Sequence, residues 1–280
     1  MTHALLRFVR THPRLFVLTG AGLSTASGIP AYRDEFGGWQ RKPPVNLSDF
    51  VRLPSARRRL WARSMIGWPM IMAATPNPGH SALARLQTAG FVQQIVTQNV
   101  DGLHRRAGSD RVIELHGNLE EIICLDCGTR SPRAQMQHRL EEINENFRRK
   151  GAAQEPDGDA AVGSFGLEAF EVPACLRCGG ILKPDVVFFG EAVPRERMAQ
   201  AMEALKQAQA ILVVGSSLMV HSGFRFCQTA AQWGMPIAAI NLGRTRADAL
   251  FDLKIERPCA EALQELLCEF VLEAAAARAA

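Results

Sequence analysis

At 280 residues and 47% apolar composition, the chain can bury the core of one large domain, or of a main domain carrying a smaller insert, and it is no disulfide-stapled peptide scaffold, collagen or coiled coil. Its 32 Lys+Arg against 28 Asp+Glu leave a formal charge of +4, too thin over this length to drive nucleic-acid binding by counterion release. No apolar stretch, Ala210 to Val214 included, reaches the roughly 18 to 20 residues of a bilayer span, so neither nucleic acid nor membrane is an expected partner.

Arg7, Arg10 and Arg14 ahead of Leu15-Phe16-Val17-Leu18 imitate a secretory signal only faintly, because the apolar run is short and a glycine loop follows it. Four of the seven cysteines form two Cys-x-x-Cys pairs, which favours metal ligation in a reducing cytoplasm over disulfides. Arg14 to Thr19 predicts a buried strand, and Gly20-Ala21-Gly22-Leu23-Ser24-Thr25 leads from it toward a helix. Bare backbone N–H groups at a helix start suit a phosphate. Thr25 replaces the third glycine of the dinucleotide fingerprint, however, and no acid follows about 20 positions on, so a plain tight turn remains an equal reading. The Arg-, Trp- and Pro-rich stretch 35–77 breaks the strand–helix alternation. Its run from Arg52 to Arg63 reads as a solvated helix face, or as a contact for acidic peptides or phosphate.

Farther on, His80 to Thr88 predicts an amphipathic helix and Val92 to Thr97 a second strand with the polar tail Gln98-Asn99-Val100-Asp101. His116, in Glu114-Leu115-His116-Gly117-Asn118, sits at the edge of the implied cleft and is either a general base or a structural histidine. Cys124-x-x-Cys127 and Cys175-x-x-Cys178, each followed by glycine, are thiolate knuckles that can converge on one zinc. Four sulfur ligands leave no open position, so such a zinc is structural. A redox dithiol or plain buried thiols are the alternatives. Between the knuckles a helix is expected over 135–149, then a Gly/Asp-rich segment over 151–166. Glu196 to Ala208 predicts a helix, Ala210 to Gly215 and Pro236 to Asn241 further strands, His221 a position in an edge strand, and Ala274 to Ala280 a frayed end.

Together these elements predict an α/β fold, a doubly wound parallel sheet of Rossmann-like type with a smaller zinc-ribbon and helical lobe inserted. Residues 1–36, 78–117 and 184–280 are expected to form the main domain, with 37–77 as a helical insertion and 118–183 as a zinc-binding one. Such sheets bind ligands outside the carboxyl ends of their strands. The tails at Gly20 to Gly22, Gln98 to Asp101, Gly215-Ser216-Ser217 and Asn241-Leu242-Gly243 all fall there.

In family order, Gly20-Ala-Gly-Leu-Ser-Thr-Ala-Ser-Gly-Ile-Pro-Ala-Tyr-Arg33, Thr97-Gln-Asn-Val-Asp-Gly-Leu-His104, Leu115-His-Gly117, the paired Cys-x-x-Cys, Lys183-Pro-Asp-Val-Val-Phe-Phe-Gly-Glu191 and Gly215-Ser-Ser217 resemble the sirtuins. The stretches at Trp61 to Pro69, Asn77 to His80 and Pro156 to Asp159 look most like the class II, mitochondrial-type branch. The resemblance implies an NAD-consuming lysine deacylase that releases nicotinamide and forms O-acyl-ADP-ribose, with protein mono-ADP-ribosyl transfer and a non-catalytic NAD-binding zinc scaffold as alternatives. It implies that His116 is the general base, that Asn99 orients the nicotinamide ribose, and that Asp101 receives the carboxamide in a pocket lined by Ile29. Gly20, Ala21, Gly22, Thr25 and Arg33 fall to the pyrophosphate and its neighbouring ribose. Ser216, Ser217, Asn241 and Leu242 face the adenosine half, Tyr32, Gln98, Gly215 and Gly243 are further NAD-binding residues, and Cys259 closes the adenine pocket or simply fills core.

Acyl-lysine peptides, the implied partners of a monomer, would add as a strand between 187–191 and 218–221, although 186–189 also reads as an ordinary buried strand. Two departures bear on substrate choice. Ala31 replaces a common Asp, and the single tyrosine, Tyr32, lies in the NAD loop. The Tyr-x-x-Arg clamp of the desuccinylating branch is therefore absent, and succinyl or malonyl groups are not the expected cargo.

Overall fold

The computed structural model describes residues 2–34, 36–40, 44–147, 154–155, 159–160 and 167–279. Six short apolar segments make one sheet in the order β11 (Leu253–Ile255), β10 (Ile237–Ile240), β9 (Ala210–Val214), β1 (Leu15–Thr19), β2 (Val92–Thr97), β3 (Val112–Glu114). Every pairing is parallel. All residues of β1 and β9 are buried because alternate side chains enter two different cores. Leu15, Val17, Leu212 and Val214 meet α1 (Thr2–Thr11), α5 (Pro78–Thr88) and α10 (Cys259–Ala279) on one face. Phe16, Leu18, Ile211 and Val213 meet α8 (Arg195–Gln207) and α9 (His221–Gln232) on the other. The four strands expected from sequence are present, Val92–Thr97 with the expected ends and the other three slightly shorter, while β3 and β11, three residues each, carry too little pattern to be foreseen. Since β2 flanks β1 on one side and β9 on the other, the strand order reverses at β1, and a crevice opens at the carboxyl ends of this pair.

A second, antiparallel sheet of order β5-β4-β8 joins Arg130–Pro132, Gly117–Cys124 and Leu182–Val186. It packs with α3 (Leu47–Arg52), α4 (Pro54–Ala73) and α7 (Arg133–Ile143) around Phe50, Trp61, Met65, Ile122, Met136 and Leu140. The Trp61 indole N–H donates to the Leu182 carbonyl at 3.2 Å, so this large ring is buried with its polar edge satisfied. Arg133, 1% exposed, lies 5.2 Å from the Trp61 ring and 4.9 Å from that of Trp68 and donates to Ser64 Oγ at 3.1 Å. Burial draws its pKa down to about 9, which still leaves the guanidinium charged at neutral pH.

Two short helices, α2 (Ala21–Ser24) and α6 (Leu103–Arg106), and the two-residue strands β6 (Gln154–Glu155) and β7 (Asp159–Ala160) complete the elements. The helix expected over 135–149 is α7, which stops at Ile143 because the Asn144 side chain binds the Leu140 and Glu171 carbonyls and redirects the chain. Apart from β6 and β7, the Gly/Asp-rich segment and most of the stretch from Pro156 to Asp159 lie outside the described residues. The alanine-rich end expected to fray is helix through Ala279 in α10, in keeping with the high helix propensity of alanine.

Candidate active site

A cavity of about 960 Å³ lies at the carboxyl ends of β1, β2, β9 and β10, lined from those strand tails by Gly20, Gln98, Gly215 and Asn241 among others. Its floor requires glycine. A Cβ on Gly22 would stand 2.9 Å from the Gly215 carbonyl oxygen, and one on Gly20 would stand 2.8 Å from Ser216 Cβ. Gly22 N–H donates to Gly215 O at 2.8 Å, so the β1 tail rests directly on the β9 tail. The helix expected after this loop is only the single turn of α2 followed by a 3-10 turn, Thr25–Ser27, and Thr25 Oγ1 donates locally to Gly22 O at 3.0 Å.

Most of the residues singled out in the sequence line this cavity: Gly20, Ala21, Gly22, Thr25, Tyr32, Arg33, then Gln98, Asn99, His116, then Gly215, Ser216, Ser217, Asn241, Leu242 and Cys259. Gly243 does not; it turns the chain at φ +75° while the Asn241 amide binds the Leu242 carbonyl. Arg33 is pinned to its own loop, donating to Gly37 O at 2.7 Å with its guanidinium 4.1 Å from the Trp39 ring centre. Tyr32 lies edge-on to Trp39 and Phe189, and its buried hydroxyl has no hydrogen-bond partner among the described residues. Cys259 is buried with its thiol on the Ile240 carbonyl, and burial pushes that thiol up to about 12, so it faces the cavity as an unreactive group.

Ile29 and Asp101 line a small niche of about 10 Å³ beside the cavity, with Ala21, Tyr32, Asn99 and Val100 shared between the two. Ser24, which the sequence reading passed over, organises it. Asn99 Nδ2 donates to Ser24 Oγ at 3.0 Å, and the same hydroxyl donates to Asp101 Oδ2 at 2.7 Å. Asp101 Oδ1 takes the Leu103 amide at 2.9 Å. Burial raises the Asp101 pKa against these bonds and the charge of Arg106, yet each carboxylate oxygen keeps acceptor capacity for an amide donor.

His116 follows β3 and precedes β4. Its Nδ1 is 3.0 Å from the Gln98 carbonyl oxygen and its Nε2 is 2.8 Å from Ser222 Oγ. Burial lowers its pKa to about 4, opposed by the Gln98 bond and assisted by the charge of Arg197. The imidazole is therefore neutral at physiological pH and offers a lone pair.

The four cysteine sulfurs lie within 4.8 Å of one another, with Cys124 to Cys178 at 3.5 Å and Cys127 to Cys175 at 3.8 Å. Four tetrahedral Zn–S bonds of about 2.3 Å separate sulfurs by about 3.8 Å, so the cluster fits a zinc ion.

The Sir2 family model matches residues 20–222. The chain belongs to the Sir2 family. Relatives named NAD-dependent protein deacetylase include one from Bordetella bronchiseptica, 56% identical over 94% of this chain and 96% of the relative, and one from Xanthomonas campestris pv. campestris, 56% identical over 93% and 89%. The NAD-dependent protein lipoamidase sirtuin-4, mitochondrial, of Bos taurus is 45% identical over 92% of this chain and 83% of its own length. Among solved structures, one described as "Sir2-p53 peptide-NAD+" superimposes with a TM-score of 0.76 at 28% identity, covering 97% of this chain and 99% of that one. Another, of Sir2Tm bound to a propionylated peptide, gives 0.77 at 28%, covering 96% and 98%.

In this sirtuin the two segments expected to hold a peptide are not strands. Of 187–191 only Phe189 forms a bridge, to Asn46, and its carbonyl accepts the Leu47 amide at 3.0 Å. Lys183, nearly buried, donates to Glu191 Oε2 at 2.8 Å and to Val186 O, and Glu191 in turn accepts the Phe188 amide, which shapes the turn. On the opposite rim Leu218 holds φ +56°, an uncommon conformation for a branched side chain, and His221 begins α9 instead of lying in an edge strand.

Proposed function

We propose that this sirtuin removes acyl groups, acetyl foremost, from protein lysines at the expense of NAD. Family membership and the convergence of a glycine cradle with a neutral histidine in one cavity support the reading. Bound NAD supplies a glycosidic bond whose nicotinamide leaves as the acyl oxygen attacks the ribose. The residues of this chain do the rest. Gly20, Ala21, Gly22, Thr25 and Arg33 hold the pyrophosphate, with Gly20 and Gly22 giving it bare backbone, and Ser216, Ser217, Asn241 and Leu242 face the adenosine half. Asn99 orients the nicotinamide ribose, and Asp101, fixed through Ser24, accepts the carboxamide N–H groups. His116 takes a ribose hydroxyl proton at Nε2 so that the sugar oxygen can attack the acyl carbon. Val186, Phe188 and Phe189 on the cavity wall exclude water from the activated sugar.

The same wall favours an uncharged acyl chain, because the one tyrosine hydroxyl, Tyr32, is buried among aromatic rings and offers no carboxylate clamp. We assign residues 1–36, 78–117 and 184–280 to the nucleotide lobe and 37–77 with 118–183 to the smaller lobe carrying a structural zinc, with the cuts at 117/118 and 183/184 falling inside β4 and β8 of the antiparallel sheet that joins the two. The enzyme works as a monomer in a reducing cytoplasm, where its four ligand thiols stay reduced. Among the described residues no helix is long and apolar enough to cross a membrane. Mass spectrometry after incubation with NAD and an acetyl-lysine peptide tests the reading. O-acetyl-ADP-ribose and a peptide lighter by one acetyl group are expected, whereas protein gaining ADP-ribose with the acetyl group retained contradicts it.

A further inference from the structure

Ser222, the second residue of α9, places its hydroxyl 2.8 Å from His116 Nε2, and the described residues offer it no other hydrogen bond. Across the ring, Nδ1 lies 3.0 Å from the Gln98 carbonyl oxygen. A carbonyl only accepts, so Nδ1 carries the ring proton and Nε2 presents its lone pair. The serine O–H is then the donor to Nε2. The start of α9 enforces this approach. Val220 caps the helix in extended conformation, and Gly223 brings this turn directly against the Gln98 side chain, whose Oε1 a Cβ there would displace. The same glutamine thus anchors His116 through its backbone and meets α9 through its side chain.

We infer that Ser222 is a positioning residue for the base: it fixes the ring rotamer and tautomer before a ribose hydroxyl arrives, and accepts a hydrogen bond from Nε2 after the proton has moved. The inference rests on the deacylase reading of the same cavity. In the step itself the Ser222 O–H first swings off the single Nε2 lone pair; the ribose O–H bond then breaks, an N–H bond forms at Nε2, and the ribose oxygen keeps the electron pair with which it attacks the acyl carbon. Ser222 keeps its own proton and rotates, so that its oxygen turns toward the new N–H. A hydrogen bond from a charged imidazolium is roughly twice as strong as its neutral counterpart. On balance the serine therefore favours the protonated ring and offsets the burial that makes His116 a reluctant proton acceptor.

The test compares wild type with Ser222→Ala and Ser222→Thr. Ser222→Ala is expected to lower kcat about tenfold while KM for NAD and for an acetyl-lysine peptide changes less than twofold, and Ser222→Thr to recover to within about threefold of wild type. Long-range 1H–15N correlation spectra of the unliganded proteins give a second readout. Wild type is expected to show a protonated Nδ1 and a hydrogen-bonded Nε2, and Ser222→Ala to move Nε2 to the position of a free imine nitrogen. An alanine variant with wild-type kcat, a threonine variant no better than alanine, or a wild-type ring protonated at Nε2 would overturn the inference. The nitrogen resonances need neither turnover nor the alanine variant, so they decide the Ser222 bond even where no acyl peptide reacts. Absent turnover in wild type would strike the deacylase reading instead.

Discussion

Lowering the pH from 7 to 5 should destabilise the fold through two buried imidazoles that no catalytic step uses. His80 and His104, 0% and 2% exposed, lie with ring centres 5.0 Å apart. His104 Nε2 is 2.9 Å from Thr19 Oγ1, while its Nδ1 and His80 Nε2 are buried without a hydrogen-bond partner among the described residues. Burial holds His80 down to about 4, helped by the charge of Arg106, and His104 down to about 3, helped by His80. Both folded values lie below the ordinary 6.5, so below that pH the unfolded chain binds protons that the folded one refuses. The stability these rings contribute is present above pH 6.5 and drains away as the pH falls toward the folded values. Between pH 7 and pH 5 the linkage amounts to about 2 kcal/mol per ring, or about 4 kcal/mol for the pair. His116 adds a third ring of the same sign and Asp101 acts with the opposite sign, but both are common to wild type and to a His104→Gln variant. Urea unfolding of the two proteins at both pH values, in zinc-saturating buffer, isolates the effect. Wild type should lose about 2 kcal/mol more than the variant on acidification. Equal losses within about 0.5 kcal/mol would show that the ring is accommodated charged and would refute the reasoning.

Other perturbations reach the site more directly. Gly215→Ala sets a Cβ against the Leu23 amide at φ +61°; a loss of about 2–4 kcal/mol by urea unfolding is expected, together with at least tenfold weaker NAD binding by calorimetry. Cys175→Ser removes one sulfur of the cluster, and metal analysis should find less than one zinc per chain with a lowered Tm, whereas full stability in zinc-free protein would contradict a structural metal. Lys183→Met leaves Glu191 without its cation, so KM for an acetyl-lysine peptide should rise at least fivefold while KM for NAD changes less than twofold in steady-state kinetics. His116→Ala should abolish turnover to O-acyl-ADP-ribose and still bind NAD, because the base acts after the dinucleotide is seated; lost binding in the folded variant would count against its role.

What sequence alone made legible was set by local chemistry. Strands such as Ala210–Val214 are buried on both faces and read as continuous apolar runs, so the parallel sheet could be inferred from them. The cysteine spacing announced its cluster, and the glycines at 20 and 22 offered bare backbone at the end of β1, whereas the close approach of Gly215 to that loop came only with the structure. What stayed hidden depends on contacts distant in the chain. Nothing near Ser24 marks it as the link between Asn99 and Asp101, 75 and 77 residues away. Ser222 meets His116 across 106 residues, and no periodicity encodes that meeting. The peptide rim was misread for a related reason: Lys183 and Glu191 bend 187–191 into a turn, and Leu218 turns the other rim through a positive φ that apolar composition does not reveal.

A crystal structure of the wild-type chain with a non-hydrolysable NAD analogue and an acetyl-lysine peptide bound tests the central claim most directly. It should show the pyrophosphate over Gly20 to Gly22, the nicotinamide ribose within hydrogen-bonding reach of His116, and the acyl-lysine entering between 187–191 and 218–221. A dinucleotide bound elsewhere, or seated in the cavity with its nicotinamide ribose remote from His116, would contradict it.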